Sequence, residues 1–272
     1  MIATPSQQSA AHGAGYVTTS LQVARRTVLQ FFRTPQVLMM GTIQGALFLF
    51  MFRYVFGGAI DPGGAIRYVD FLVPGFLVTV IIWTGMSAAS GVAEDANTGL
   101  YDRLRSLPVP RSAVMVGRSL ADTALLTWGV LITAVIGYAV GFRSHGGVAA
   151  VLLGFGLILL GGWAFSWLFI MMGLVSNSAQ AAQGLSMLLV PFSFVSSANV
   201  PVRSMPGWMQ PFAANQPISV LINAVRSLMQ GGTENVGIDH STTYWVVASL
   251  LWCAALAAVF IPLCARRFGR RR

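Results

Sequence analysis

No charged residue occurs in residues 71–93 or in residues 146–202. An α-helix needs about 20 apolar residues to cross the roughly 30 Å hydrocarbon core of a bilayer. The two stretches therefore match one crossing and two crossings. The composition agrees, because 55% of the residues are hydrophobic and only 9% are charged, more apolar surface than a soluble core can hide. The sequence predicts an all-α integral membrane protein.

The same criterion of apolar length predicts six transmembrane helices. They cover residues 37–56, 71–93, 113–142, 148–175, 181–199 and 244–265. The third carries Arg118 and Asp122 one turn apart, so its first turns are expected at the cytoplasmic surface, where the two charges neutralise each other. The polar residues 176–180 leave room only for a tight turn, which predicts a helical hairpin from the fourth and fifth spans.

The arginines predict the orientation, because basic residues stay on the cytoplasmic side during insertion. With the N-terminus inside, twelve arginines are cytoplasmic: Arg25, Arg26, Arg33, Arg103, Arg105, Arg111, Arg118, Arg266, Arg267, Arg270, Arg271 and Arg272. The other five are outside: Arg53, Arg67, Arg143, Arg203 and Arg226. Both termini are thus expected in the cytoplasm. The net charge of +9 fits anionic lipid headgroups, not nucleic acid, because the arginines flank spans and form no stripe with interleaved aromatic residues.

The ends of the chain have their own character. Residues 1–15 are rich in Ser, Gln, Ala and Gly, which is typical of a disordered tail. Residues 16–34 predict an amphipathic helix lying flat at the inner membrane interface. Its apolar face is Val17, Leu21, Ala24, Val28 and Phe31, opposite Gln22, Arg25, Arg26 and Arg33. Residues 35–266 form the six-span domain, and residues 267–272 form a basic cytoplasmic tail.

Few residues offer catalytic chemistry. The three histidines fall in tails or outer loops, so we expect no metal site and no haem. A membrane enzyme acting on lipids would need a nucleophile with a base, which Asp122 and isolated histidines do not provide. A secondary transporter driven by an ion gradient is the alternative function, but no carboxylate lies in the middle of a predicted span. The chain has no lysine, which excludes a phosphate-binding loop of its own.

A short amphipathic helix is predicted between the second and third spans. Leu100, Leu104 and Leu107 recur at i, i+4 and i+7 and form one apolar stripe. The charged residues on its other sides are Asp102, Arg103 and Arg105. Asn97 or Thr98 can cap its start, and Pro108 stops it. Such a stripe predicts a docking partner, although the helix could also pack on the chain's own cytoplasmic helix ends.

Two runs carry a resemblance to a known family. Residues 91–118 are similar to the first cytoplasmic loop of ABC type 2 exporter permeases, through Glu94, Gly99-Leu100, Leu107-Pro108 and Arg111-Ser112-Ala113. Residues 205–217 and 224–226 resemble the outer loop of daunorubicin-resistance-type permeases, through Met-Pro-Gly-Trp-Met-Gln-Pro-Phe, Asn-Gln-Pro and Ala-Val-Arg. The resemblance covers roughly residues 16–267.

The resemblance implies a function. It implies the membrane subunit of an exporter that moves an amphipathic drug, antibiotic or lipid out across the bacterial cytoplasmic membrane. The chain would not be an enzyme and would hold no cofactor, because ATP and Mg²⁺ bind a separate ATPase subunit. A second permease, a copy or a paralogue, would complete the dimer. The coupling helix that fits the ATPase would be Thr98, Gly99, Leu100, Tyr101, Asp102, Arg103, Leu104 and Arg105.

Three further groups of residues are candidates. A cytoplasmic charge network would pair Glu94 and Asp95 with arginines, unless these are independent solvated charges; its other members are Arg25, Arg26, Arg111, Arg118 and Asp122. The family pattern implies outer re-entrant helices within residues 206–212 and 218–230, or else a surface loop, with Arg226 near the headgroups and with Pro206, Trp208, Asn215 and Pro217. The substrate pathway would include Trp83, Met86, Phe192 and Phe194, unless these face lipid or core.

Overall fold

A computed structural model describes residues 15–58, 66–106 and 111–270, without the side chains of residues 35–42, 102, 105, 106, 111, 269 and 270. The predicted disordered tail therefore lies outside the described residues. Every regular element in the described ranges is a helix. The α-helices are α1 Tyr16–Phe32, α2 Pro35–Met51, α3 Tyr68–Asn97, α4 Leu100–Ser106, α5 Arg111–Ala139, α6 Val148–Val175, α7 Ala179–Met187, α8 Val190–Phe194, α9 Gln210–Asn215, α10 Pro217–Met229, α11 Thr233–Val236 and α12 Thr242–Arg270.

Four helices in the described part of the chain are long and apolar enough to cross a membrane: α3, α5, α6 and α12. Helix α6 has the bounds predicted for the fourth span, and α12 runs through most of the predicted basic tail. The first predicted span corresponds to α2 and the π-helical turn Phe52–Phe56, which together form a shorter apolar helix. An all-helical membrane protein is confirmed, while the number of six spans stays a prediction.

The fifth predicted span is not one helix. It consists of α7 and α8, separated by a turn at residues 188–189, and continues as turns to residue 199. Pro191 explains the break, because it has no N–H to donate to the Met187 carbonyl and its ring crowds that carbonyl. The tight connection before α7 is present as predicted. Ser178 caps α7, its hydroxyl accepting from the Ala181 N–H at 3.0 Å.

Helix α1 packs along α5 in the same direction. Near the start, Ser20 Oγ donates to the Ala113 carbonyl at 3.0 Å, and Gly117 admits the α1 backbone, since a Cβ there would lie 2.4 Å from the Ser20 carbonyl oxygen. Near the end, the Phe32 and Trp128 rings meet edge to face at 5.3 Å. Small residues therefore allow α1 to pack alongside α5, while its position at the membrane surface stays a prediction.

Helix α10 lies inside the bundle, packed against α3, α6 and α12. Of its 13 residues, 11 are buried, including polar ones. It ends where Gly231 and Gly232 adopt φ values of +77° and +142°, which glycine tolerates best. The two outer helices expected before the last span are present as α9 and α10, although α9 begins only at Gln210. Their re-entrant position in a membrane stays a prediction.

A close backbone approach provides a test of this packing. A Cβ at Gly75 of α3 would lie 2.4 Å from the carbonyl oxygen of Ala198 in the broken fifth span. We expect Gly75→Ala to lower the free energy of unfolding by about 1–3 kcal/mol through overpacking. Gly156→Ala is the matched control, because nothing lies within 4 Å of its Cβ position. Thermal unfolding in detergent measures both; equal midpoints would contradict the packing.

Candidate functional site

The turn between α3 and α4 positions the predicted coupling helix. Gly99 adopts φ +71°, and its carbonyl accepts from the Arg103 N–H at 3.1 Å. The predicted side-chain cap is absent among these residues. Thr98 Oγ1 instead donates to the Asp95 carbonyl at 3.3 Å, and Asn97 Nδ2 donates to the Asn177 carbonyl at 3.1 Å. The Asn97 bond ties the end of α3 to the turn between α6 and α7, so the position at which α4 begins is held by a neighbouring segment.

Helix α4 turns Tyr101 into the protein. The Tyr101 side chain is buried and meets the Phe268 ring of α12 edge to face at 5.2 Å. Leu104 packs on the same cluster, which also contains Val114 of α5. Burial raises the pKa of Tyr101 above its usual range. Part of the predicted stripe therefore contacts the chain's own cytoplasmic helix ends.

Other members of the predicted coupling helix face away from the core. Leu100 is half-buried and joins neither hydrophobic cluster of the described residues, while Thr98 and Arg103 are exposed. The side chains of Asp102 and Arg105, and the whole of Leu107, lie outside the described residues. Leu100 and Arg103 of α4, with Thr98 just before it, thus form the described surface of this segment that lies outside the core.

Asp95 lies at the centre of a cytoplasmic charge cluster. Its carboxylate accepts from Arg26 Nη2 of α1 at 3.1 Å and from Arg118 Nη1 of α5 at 3.2 Å. Arg118 Nε also donates to Asp122 at 3.1 Å, and Arg118 Nη2 donates to the Ala88 carbonyl at 3.0 Å. Alternating positive and negative charges therefore join α1, α3 and α5. The buried Arg118 has two carboxylate partners, Asp95 and Asp122, which offset the cost of burying its charge.

A glycine makes room for this cluster. A Cβ at Gly91 of α3 would lie 2.8 Å from Arg118 Nη2. Two predicted members do not join the cluster in the described structure, because Arg25 and Glu94 are exposed and form no ion pair with a described residue. The Arg111 side chain lies outside the described residues. The cluster is thus smaller than the sequence suggested.

At the other end of the bundle, the Arg226 side chain is fully buried. Its guanidinium stacks 3.7 Å from the centre of the Phe71 ring, and Nε donates to the Phe71 carbonyl at 2.9 Å. Nη2 donates to the Ser197 and Ala198 carbonyls at 2.7 and 3.3 Å. Backbone carbonyls therefore satisfy the guanidinium inside the protein, while its depth near the headgroups stays a prediction.

Two glutamines of the α10 region accompany Arg226. Gln216 Nε2 donates to the Phe192 and Val195 carbonyls at 3.0 and 2.9 Å, at the C-terminal end of α8 in the broken fifth span. Gln230 Nε2 donates to the Asp70 carbonyl at 3.2 Å, which Pro74 leaves without its helical donor. The α10 region therefore supplies donors where α3 and the fifth span lack them.

The remaining predicted outer residues lie further out. Trp208 is 79% exposed, and Asn215 at the end of α9 is also exposed. Pro206 accepts the Met209 N–H at 2.9 Å in a turn before α9, and Pro217 is the first residue of α10. Among the predicted outer residues, Arg226 therefore differs from these four because its side chain is fully buried.

A small cleft brings together two of the four predicted pathway residues. Trp83 of α3 and Phe194 of α8 line it with Phe48 of α2, and its polar wall includes Ser193 and Asn199. The other two predicted residues do not line it: Met86 is buried, and Phe192 meets the Phe212 ring at 5.8 Å. The sequence did not single out Asn199. Its Oδ1 is buried and has no hydrogen-bond partner among the described residues.

Comparison with known proteins identifies the family. The sequence model of ABC-2 type transporters matches residues 20–229, most of the chain. The chain belongs to the ABC-2 type transporter family. It is 30% identical, over 94% of its length and 87% of the relative's, to the daunorubicin resistance ABC transporter permease protein DrrB1 of Streptomyces coeruleorubidus. It is also 27% identical, over 71% of its length and 67% of the relative's, to the probable doxorubicin resistance ABC transporter permease protein DrrC of Mycobacterium tuberculosis.

The likeness extends beyond bacteria. The putative transport permease ycf38 of Pyropia yezoensis is 25% identical over 75% of this chain and 71% of its own length. The chain is thus an ABC-2 permease, the membrane subunit of an ABC exporter and a multi-pass membrane protein. In this permease, α4 lies within the matched region and rests on α12, whose residues follow that region.

The charge cluster of the permease gives a stability prediction. We expect Asp122→Asn to lower the free energy of unfolding by about 3 kcal/mol, because the buried Arg118 loses its charge partner. Glu94→Gln makes the same chemical change at an exposed residue of α3 and is expected to have little effect. Thermal unfolding of the purified chain compares the two variants. Equal midpoints would show that the buried pair adds no stability.

Proposed function

We propose that this permease moves an amphipathic drug, antibiotic or lipid-like molecule out across a bacterial cytoplasmic membrane, using ATP hydrolysed by a separate subunit. The names of its relatives support a drug cargo, since DrrB1 and DrrC are described as daunorubicin and doxorubicin resistance permeases. Both termini face the cytoplasm in this proposal, as the arginine distribution favours. ATP and Mg²⁺ bind the partner subunit, and a second permease, a copy or a paralogue, completes the transport pathway.

One observation carries the coupling part of the proposal. Helix α4 is continuous with α3 through Gly99 and is also anchored on α12 through Tyr101 and Phe268. A partner that pushes on α4 therefore acts on two long helices together. Leu100 and Arg103 of this helix, with Thr98 just before it, belong to neither hydrophobic cluster of the described residues. We propose that they contact the ATPase subunit.

The cleft lined by Trp83 and Phe194 is the proposed contact for cargo. Aromatic side chains from three helices suit a flat apolar ring system, and the unpartnered Asn199 Oδ1 suits a hydroxyl or amine donor on the cargo. A secondary transporter has less support. The buried carboxylates Asp70 and Asp122 are both paired with arginines, and so are poor carriers of an ion.

The coupling proposal is tested at Leu100. Leu104 packs on the permease itself, so a charge there would confuse docking with folding. We expect Leu100→Glu to leave the thermal midpoint unchanged but to release the copurifying ATPase chain and to abolish ATP-dependent daunorubicin transport into inverted vesicles, because a charge in an apolar contact is costly.

The control for Leu100→Glu is Thr243→Glu, which adds the same charge to an exposed residue at the start of α12. Transport and copurification should persist in that variant. Full transport by Leu100→Glu would contradict the docking role of α4. An intact preparation that transports daunorubicin without ATP or an ATPase chain would contradict the proposed function as a whole.

The cargo contact is tested at Asn199. We expect Asn199→Leu to raise the KM for daunorubicin transport about tenfold, because one hydrogen bond to the cargo is lost. The maximal rate should change less than the KM. Asn215→Leu, at an exposed residue of α9, is the control and should leave the KM unchanged. A loss of maximal rate at constant KM would assign Asn199 to the motion of the helices and remove it from the cargo contact.

A further inference from the structure

Arg226 places a net positive charge inside the permease. Its guanidinium is fully buried and stays protonated, because arginine does not lose its proton in proteins. Its hydrogen-bond partners are all uncharged: the carbonyls of Phe71, Ser197 and Ala198 and the amide oxygen of Asn223. No ion pair joins it to a carboxylate of the described residues. The charge is therefore solvated by dipoles but is not cancelled.

The other buried charges of the described residues are cancelled. Arg118 has two carboxylate partners, at 3.2 and 3.1 Å, and Asp122 is one of them. Asp70, which lies in the first turn of α3, binds Arg67 at 2.9 Å and is neutralised there. Among the buried charged side chains that the structure describes, Arg226 therefore stands apart, because no opposite charge is paired with it.

The segment that binds Arg226 also carries Asn199 into the cleft lined by Trp83. Arg226 Nη2 donates at 3.3 Å to the carbonyl of Ala198, the residue just before Asn199. The Tyr68 hydroxyl donates to the Asn199 carbonyl at 2.9 Å and holds this residue in place. By standard bond lengths, Asn199 Oδ1 then lies within about 10 Å of the guanidinium. At an effective dielectric constant of about 20, a unit charge at this range changes the affinity for another charge about tenfold.

The walls of the cleft do not offset this charge. The described residues that line it are aromatic or aliphatic apart from Thr79, Ser193 and Asn199, and none is a carboxylate. Aromatic ring faces attract cations, but only by about two- to fivefold at a partly exposed site. The repulsion from Arg226 is larger, so it decides the sign of the charge preference.

From these features we infer that Arg226 is a specificity residue of the cargo cleft, which accepts an uncharged hydrogen-bond donor and rejects a cation. The inference rests on the proposed cargo contact at Asn199 and decides which donor that contact accepts. A hydroxyl, or an amine that is neutral at neutral pH, donates to Asn199 Oδ1 without meeting a like charge. An ammonium group makes the same hydrogen bond but is repelled by the guanidinium.

The experiment measures the binding of three flat probes to the full permease, purified in mild detergent, by equilibrium dialysis at neutral pH. Hydroxymethylanthracene and aminoanthracene are uncharged donors, whereas aminomethylanthracene is a cation. The wild type is expected to bind the cation about tenfold more weakly than either neutral probe. Each probe enters the detergent micelle equally in all variants, so the ratio of affinities between variants reports the protein.

Asn223→Asp is the decisive variant. Asn223 Oδ1 lies 3.4 Å from Arg226 Nη1 and accepts from Ser197 Oγ at 2.9 Å, so an aspartate of the same shape keeps both contacts and adds the missing negative charge. We expect this variant to bind the cation about tenfold more tightly than the wild type does and to bind the neutral probes equally well. Asn215→Asp adds the same charge at an exposed residue of α9 and should change none of the three affinities.

Two results would overturn the role of Arg226. One is a wild type that binds the cation more tightly than the neutral probes, which needs no variant to fold. The other is a folded Asn223→Asp variant whose affinity for the cation is unchanged. Arg226→Lys keeps the charge and should keep the preference; its loss would assign the preference to the guanidinium hydrogen bonds. Daunorubicin transport is measured separately, so its absence beside the expected order of probe affinities would contradict the proposed cargo and not the charge preference.

Discussion

The guanidinium of Arg226 holds together the part of the bundle where its helices are least regular. Inside an apolar environment, a carbonyl without a donor costs several kcal/mol, so a broken helix requires other donors. Arg226 supplies them to the broken fifth span and to α3 at once. Gln216 and Gln230 do the same at either end of α10. The interruption at Pro191 is thus stabilised by a neighbouring helix, and the outer end of the permease forms one unit.

At the cytoplasmic end of the bundle, a buried arginine again joins neighbouring helices, but its partners are carboxylates and not only carbonyls. Gly91 and Gly117 remove side chains where α5 approaches α3 and α1, which allows Arg118 to sit between them. Asp95 and Asp122 then neutralise the guanidinium from two sides. Because α4 leaves α3 only a few residues after Asp95, the charge cluster fixes the base of the helix proposed to contact the ATPase. The two ends of α3 are therefore both held by buried arginines.

Sequence patterns correctly predicted the features that depend only on neighbouring residues, such as the bounds of α6 and the turn before α7. The length and apolar character of α6 gave its bounds, and Ser178 marked the start of α7 as a polar turn residue. Tertiary partners decided the rest. The family pattern placed Arg226 near the headgroups, but no local pattern could show that carbonyl acceptors contributed by distant segments satisfy its guanidinium inside the protein. The leucine period of α4 likewise could not reveal that Tyr101, beside the stripe, is the buried anchor, since Phe268 lies far along the chain.

The contact between Tyr101 and Phe268 changes how force passes through this molecule. A helix attached only to α3 would act as a simple rod and transmit a push along one axis. Because α4 is also attached near the end of α12, a displacement of α4 would move two helices. It would push α3 along its axis and would move the end of α12 sideways. In the proposed coupling, the last turns of α12 would therefore carry part of the displacement of α4, and a tag or truncation placed there would change how firmly α4 is held.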